Sequence, residues 1–333
     1  MNKPIVVLTP VKNEEWILER FLSVTSNFAD LIIVADQNSA DKSVSICSRF
    51  SKVHLINNTS ETYDEAYRQS LLINEARKLI PSDKILLALD ADEILTADSY
   101  DSKDWELVEG AASGTVLYFE KPDLYKNTET CIRYDQFFPL GYVDDGCDHS
   151  GKILHSIRIP VPEYSSKLYL KNVKFLHHGL LQMRRQRAKD RIYSVITNIA
   201  NNDTIIKSIR RRIEHSRFYD YSKCGSIKNT PKSWLDYQSN KVDALNTIKE
   251  EKFYYQDLEL LRILNQHGFS RFWWDDIFNE IDLEQVRKYF LAKGIDELRD
   301  LKIKSPPFLL KIILNIIDYY IMRANRKILI NNN

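Results

Sequence analysis

Four short apolar segments, Ile5 to Leu8, Leu31 to Ala35, Val53 to Ile56 and Ile85 to Leu89, punctuate the first ninety residues. Continuous apolar runs of this length predict strands buried on both faces. Helical patterns lie between them. Leu18, Leu22 and Thr25 recur at i, i+4, i+7, and a second helix opens at a capping box, Thr62 to Glu65, and turns Ala66, Leu72, Ala76 and Leu79 inward. Strands alternating with helices predict an α/β domain on a parallel sheet, whose ligands bind beyond the carboxyl ends of the strands. Polar residues cluster at those ends: Thr9, Pro10, Lys12, Asn13 and Glu14 after the first strand, Asp36, Asn38, Ser39 and Asp41 after the second, and Asp90, Asp92 and Glu93 after the fourth.

All nine glycines lie at or beyond Gly110. A GxGxxG dinucleotide turn or a GxxxxGK phosphate loop is therefore excluded from the first 109 residues, because both need glycine where backbone approaches phosphate. Later, GCDHSGK at 146–152 imitates a phosphate loop, but Ile153 stands where Ser or Thr would hold Mg2+, and no buried strand precedes it. A net charge of +1 denies the chain a broad positive field for nucleic acid. Cys47, Cys131, Cys147 and Cys224 are too dispersed for a zinc cluster and read as reduced thiols; with no signal-peptide pattern, a cytoplasmic protein is expected.

A chain of 333 residues, 44% hydrophobic, has enough material for about two domains. From Gly114 to Leu176 strands follow without long helices, at Thr115 to Phe119, Ile153 to Ile159 and Leu168 to Leu176, which predicts an α+β completion of the sheet. Beyond His178 the pattern is mostly helical. Two basic runs, Arg184, Arg185, Arg187, Lys189, Arg191 and Lys207, Arg210, Arg211, Arg212, Arg217, read as solvated helix faces. The expected division is an α/β domain over 1–200 and a helical region over 201–333. The last helix follows Pro306 and Pro307, is too short and polar to span a bilayer, and carries Lys311, Asp318, Arg323, Arg326 and Lys327 beside an apolar surface. Packing on the helical region is its first reading, and peripheral membrane contact its second.

LLALDADEIL delivers Asp90 and Asp92 at the end of an apolar strand. Two carboxylates so spaced form a hard oxygen site for Mg2+ or Mn2+, suited to neutralising a diphosphate. Carboxylates that merely cap the next helix are the simpler alternative.

Four stretches, VVLTPVKNEEWILERFL, LIIVADQNSADKS, YRQSLLINEARKL and LDADEIL, occur in the order and spacing of family 2 glycosyltransferases of the GT-A fold, which the first hundred residues resemble. More weakly, the region to His178 is similar to the subgroup that builds bacterial lipopolysaccharide core or capsule. The resemblance implies a mixed, mainly parallel sheet and a nucleotide sugar, UDP-linked by preference, held against Thr9, Pro10, Glu14 and Asp36, with Arg68 and Asp90 nearby. It further implies Asp92 on a metal that bridges the diphosphate, and a downstream histidine, His177 or His178, completing that site. Inverting transfer to a saccharide or lipid-linked acceptor needs a general base. The subgroup's His-Glu pair is absent, since His155 precedes Ser156, so Asp144, Asp145 and Asp148 in GYVDDGCDHSGK become the candidate bases, with a polar turn the alternative. Two other readings stay open. One is a sugar nucleotidyltransferase, which normally needs a glycine-rich basic loop after its first strand; the other is a nucleotide-sugar-binding scaffold without catalysis.

Overall fold

A computed structural model describes residues 3–60, 63–218, 225–237 and 250–331, the side chains of 214–218 and 321–331 excepted. The chain divides into two compact units, Met1–Gln182 with Gly225–Ile248, and Met183–Cys224 with Lys249–Asn333. The sequence reading set one cut, at 200/201.

The first unit is a mixed α/β fold, as the alternation of apolar runs and helical patterns predicts. Its strands are β1 (Ile5–Val11), β2 (Leu31–Asp36), β3 (Val53–Asn57), β4 (Ile85–Ala88), β5 (Glu93–Leu95), β6 (Val116–Glu120), β7 (Asp123–Leu124), β8 (Thr130–Arg133), β9 (Phe138–Val143), β10 (Lys167–His177) and β11 (Ser226–Asn229). They form one sheet in the order β11-β8-β7-β10-β6-β9-β4-β1-β2-β3, with β5 paired to β10. The β3-β2-β1-β4 half is wholly parallel.

Both faces of that half are covered, which is why its strands read as unbroken apolar runs. Ile5, Val7, Ile32, Val34, Ile85 and Leu87 point into one core with α1 (Leu18–Thr25) and α2 (Ser43–Cys47), whereas Val6, Leu8, Ile33, Ala35, Leu86 and Ala88 point into the other with α3 (Glu65–Leu79). Phe21 and Leu22 of α1 are fully buried, each contributing about 1.5–3 kcal/mol. Thr62 of the expected capping box lies outside the described residues; the cap is Asp64, whose carboxylate accepts from the Tyr67 N–H. Leu72 and Ala76 are buried as expected, whereas Leu79 is exposed.

Two strand expectations are corrected. β9 is a strand the sequence reading lacked, inserted antiparallel between β4 and β6. Gly141 makes this possible, because a Cβ there would sit 2.8 Å from Leu87 Cδ2 and 3.0 Å from Leu117 Cβ. Residues 153–159, expected as a strand, form irregular backbone instead, with His155 at φ +54°. Polar side chains of this segment reach α3 and β5: Ser156 Oγ donates to Gln69 Oε1 at 2.9 Å and Arg158 reaches Glu93. Trp234, beyond β11, is buried with Leu124, Cys131 and Leu176, which fastens that segment to the first unit. α4 (Lys103–Gly110) buries Trp105 and Val108 in the first core.

The second unit contains α5 (Met183–Ala200), α6 (Ile205–Phe218), α7 (Tyr255–His267), α8 (Ile277–Glu280), α9 (Leu283–Ala292) and α10 (Phe308–Asn331). Val195, Leu260, Leu261, Leu264, Phe272, Ile277 and Val286 form its core. Its basic runs are not simply solvated faces: Arg185, Arg191, Arg211 and Arg212 are buried. Arg211 pairs with Asp203 and Asp275, and Arg212 holds Asp318 of α10 with two hydrogen bonds. Burial without such partners would cost several kcal/mol per charge, of order. On α10, Phe308, Leu309, Ile313 and Ile316 stand exposed, while the side chains of Arg323, Arg326 and Lys327 lie outside the described residues. Among the described residues no helix is long and apolar enough to cross a membrane.

Candidate functional site at the carboxyl edge of the sheet

The parallel strands deliver their polar ends to one edge, as a parallel sheet requires. Pro10, Arg68, Gln69, Asp90 and Arg158 line one small cleft with Leu8, Leu72 and Ala88. Three of the residues expected at a nucleotide, Pro10, Arg68 and Asp90, thus come together. Thr9 and Asp36 are buried at the ends of β1 and β2, and Thr9 Oγ1 and Asp36 Oδ1 have no hydrogen-bond partner among the described residues. The other Asp36 oxygen accepts from the Ser39 N–H at 3.0 Å. A buried carboxylate oxygen with spare capacity suits an N–H or O–H donor from a ligand. Glu14 is buried as well, where it accepts from Trp16 Nε1 at 2.8 Å.

The turn after β1 has spent its amides. The N–H groups of Asn13, Glu14 and Glu15 donate to Ser39 Oγ, Ser43 Oγ and Asp41 Oδ2, each at 2.9 Å, and Asn13 adopts φ +56° to allow it. A phosphate-cradling loop would keep such amides for its ligand.

Beyond β4 the chain turns through Asp90 and Asp92 into β5. Asp92 Oδ2 lies 3.4 Å from His177 Nε2, and His177 Nδ1 lies 2.8 Å from Asp123 Oδ1. The Tyr134 hydroxyl donates to the other oxygen of Asp123. Burial alone would lower the His177 pKa, but Asp92 and Asp123 outweigh it and push it up to about 10. Gly179 borders the pair: a Cβ there would meet the His177 ring at 2.9 Å and Asp92 Oδ2 at 3.4 Å.

His178 is fully buried, with Nδ1 2.9 Å from the Leu176 carbonyl; burial, then Arg20, pulls its pKa down to about 3. Its Nε2 has no hydrogen-bond partner among the described residues.

Two cations that the sequence reading missed complete the edge. Arg158 ion-pairs with Asp90 at 2.9 Å and donates to both oxygens of Glu93 at 2.5 and 2.9 Å. Burial opposes its charge, but Asp90 and Glu93 hold its pKa well above the ordinary value. Lys121 reaches Glu93 at 2.8 Å. Glu93, fully buried, also accepts from the Asp90 N–H.

Asp90, Asp92, Glu93 and Asp123 against Arg158, Lys121 and protonated His177 leave one negative charge, and two once the His177 proton is released, a charge that a divalent cation would match. Among the described residues no three acidic, histidine or cysteine side chains form a full metal cage. Asp92 and His177, with Asp123 behind the ring, are the residues that would hold a metal here, and Mg2+ or Mn2+ would supply charge neutralisation of a diphosphate. The space that Gly179 leaves open fits it too.

The three candidate bases are corrected. β9 runs antiparallel to β4, so Asp144 follows it at the amino edge of the sheet, where its N–H donates to the Lys84 carbonyl. Its buried carboxylate is held by Arg77 at 2.7 Å and Lys84 at 2.8 Å. Asp145 accepts from the Tyr142 and Tyr164 hydroxyls, and exposed Asp148 lies in the field of Arg77 on that same side.

Burial raises the Asp144 pKa, but Arg77 and Lys84 more than offset this and hold it below the ordinary range. Asp144→Asn is expected to cost about 2–3 kcal/mol of stability at pH 7. A depressed carboxylate contributes fully above its unfolded value, about 3.9, and loses that contribution as pH falls through its folded value. Urea unfolding of wild type and variant is therefore expected to differ at neutral pH and converge in acid, with turnover per folded molecule unchanged. A variant of normal stability and lost turnover would return Asp144 to the reaction.

No protein-family model matches the chain, and no curated protein matches it. Among solved structures, the chain is similar to a 4-diphosphocytidyl-2C-methyl-D-erythritol synthase at 13% identity and TM-score 0.33, over 51% of this chain and 90% of that one. It is also similar to glucosyl-3-phosphoglycerate synthase from Mycobacterium tuberculosis, in complex with Mn2+, UDP and glucosyl-3-phosphoglycerate, at 18% identity and TM-score 0.26, over 37% of this chain and 44% of that one. HddC from Yersinia pseudotuberculosis is a third, at 11% identity and TM-score 0.31, over 53% and 93%. All three likenesses are partial and distant.

Proposed function

We propose that this chain is a metal-dependent glycosyltransferase of the GT-A type, moving a sugar from a nucleotide diphosphate, UDP by preference, to a saccharide or lipid-linked acceptor in cell-surface polysaccharide synthesis. The observation that carries this reading is the Asp92, His177, Asp123 chain at the carboxyl end of β4, beside the cleft of Pro10, Arg68 and Asp90.

In this reading Asp36 Oδ1 accepts from the base, Pro10 walls it, and Asp90 accepts from ribose. Arg158 holds Asp90 in place through its ion pair. Asp123 fixes the orientation of the His177 ring, so that Nε2 and Asp92 face one position. A bound Mg2+ or Mn2+ supplies Lewis-acid stabilisation of the diphosphate leaving group. Inverting transfer would need a carboxylate on the far face of the sugar, and Asp144, Asp145 and Asp148 do not supply it.

A nucleotidyltransferase is disfavoured by the turn after β1, whose amides already serve Ser39, Asp41 and Ser43. Calorimetric titration of the full chain with UDP is expected to give binding that weakens about tenfold or more when Mn2+ is replaced by EDTA. Equal binding with and without metal, or pyrophosphate release from a nucleoside triphosphate and a sugar phosphate, would overturn the reading.

A further inference from the structure

The second unit holds a cavity of about 350 Å3 that the donor reading does not use. Its basic wall is one face of α5: Arg184, Arg187 and Arg191 follow at spacings of three and four, so their side chains stack along the helix. These residues belong to the first basic run of the sequence. Lys252, Phe253, Asp257, Glu280 and Ile281 complete the lining.

These cations differ in what already engages them. Arg184 is paired with Glu250 at 3.4 Å. Arg191, 8% exposed, is held by Asp257 at 2.5 Å and Glu280 at 3.7 Å, yet its Nε is buried without a hydrogen-bond acceptor among the described residues. Among the described residues Arg187 makes no ion pair or hydrogen bond and Lys252 makes no ion pair, its ammonium lying 5.4 Å from the centre of the Phe253 ring. A cavity with two uncommitted cations and an orphaned buried donor is a site waiting for a compact dianion.

We propose that this cavity binds the phosphate monoester of a phosphorylated sugar or polyol. Arg187 and Lys252 take the phosphoryl oxygens, since a guanidinium matches them with paired donors and an ammonium adds point charge. The Arg191 Nε–H supplies a further donor. Glu280, a lining carboxylate, accepts from ligand hydroxyls, and Phe253 gives the carbon skeleton an apolar surface. The volume is in the range of small-molecule pockets and holds a hexose phosphate. The site is formed by the second unit's residues alone and does not depend on the nucleotide-sugar reading of the first.

Glucose 6-phosphate, titrated into the full chain in EDTA with UDP present in excess, tests it, with inorganic phosphate and glucose as the partial probes. Saturable binding is expected, tighter than for inorganic phosphate, with none for glucose. Arg187→Ala and Lys252→Ala are each expected to raise Kd about tenfold or more, and Arg187→Lys to recover part of the loss. Both side chains are exposed, so the thermal midpoints of these variants should match wild type. Absence of saturation below about 10 mM, or a Kd unmoved by both alanine variants, would overturn the proposal.

Discussion

Asp92→Asn is expected to lower sugar transfer by about a hundred- to ten-thousandfold and to remove the manganese dependence of UDP binding. Asn keeps the volume and one acceptor of Asp but not its charge, and Asp92 faces the single ring nitrogen of His177 that Asp123 leaves available. With the carboxylate gone, the pocket offers a cation one neutral imidazole and no anionic protein ligand. Asp123→Asn acts one step further out, through the orientation of His177, and is expected to cost about ten- to a hundredfold. UDP release from a UDP-sugar at saturating Mn2+ measures both. An Asp92→Asn enzyme within a factor of three or so of wild type would sink the assignment, since a lost anionic ligand costs far more than that.

Glu93→Gln is expected to be the more damaging change to stability, by about 3–5 kcal/mol. Glu93 has no solvent exposure, receives two hydrogen bonds from Arg158 and one from Lys121, and accepts the Asp90 N–H. The amide retains the shape but leaves two cations facing each other across a neutral group. Urea midpoints at unchanged slope give the loss. Lys121→Met in the Glu93→Gln background is expected to recover part of it, because it removes one of the unpaired charges. A single variant within about 0.5 kcal/mol of wild type would mean that water, not protein, neutralises this cluster.

The parallel half of the sheet was legible because burial on both faces leaves an unmistakable trace, four apolar runs that each end in polar residues. The same trace set Pro10, Asp90 and Asp92 at strand ends, whereas Arg68 and His177 were expected beside them only from the family resemblance. What escaped was information carried by pairing at a distance. β9 contains Pro139 and Gly141, residues that argue against a strand, and only the narrow gap between Leu87 and Leu117 explains the glycine. Direction was equally hidden: a DDG loop reads as a polar turn, and nothing local reveals that β9 runs antiparallel to β4 and carries Asp144 to the far edge. Arg158 sits in a segment whose alternating isoleucines imitate a strand, 65 residues from the Glu93 it neutralises. Buried ion pairs of that separation leave no periodic signal. Adjacent histidines are alike in sequence, whereas the end of β10 turns His177 toward Asp92 and the Nδ1 of His178 toward the Leu176 carbonyl.

The path of the backbone has a consequence for how this protein can be made and dissected. The polypeptide leaves the first unit at Gln182, returns at Gly225 to add β11 and seat Trp234, and departs again after Ile248. A ribosome must therefore synthesise more than two thirds of the chain before the open side of β8 can be closed, and until then a pairing edge is available to other nascent chains. Truncation after residue 200 would strand that edge permanently, so a minimal catalytic fragment calls for a graft that joins residue 182 to residue 225 rather than a stop codon.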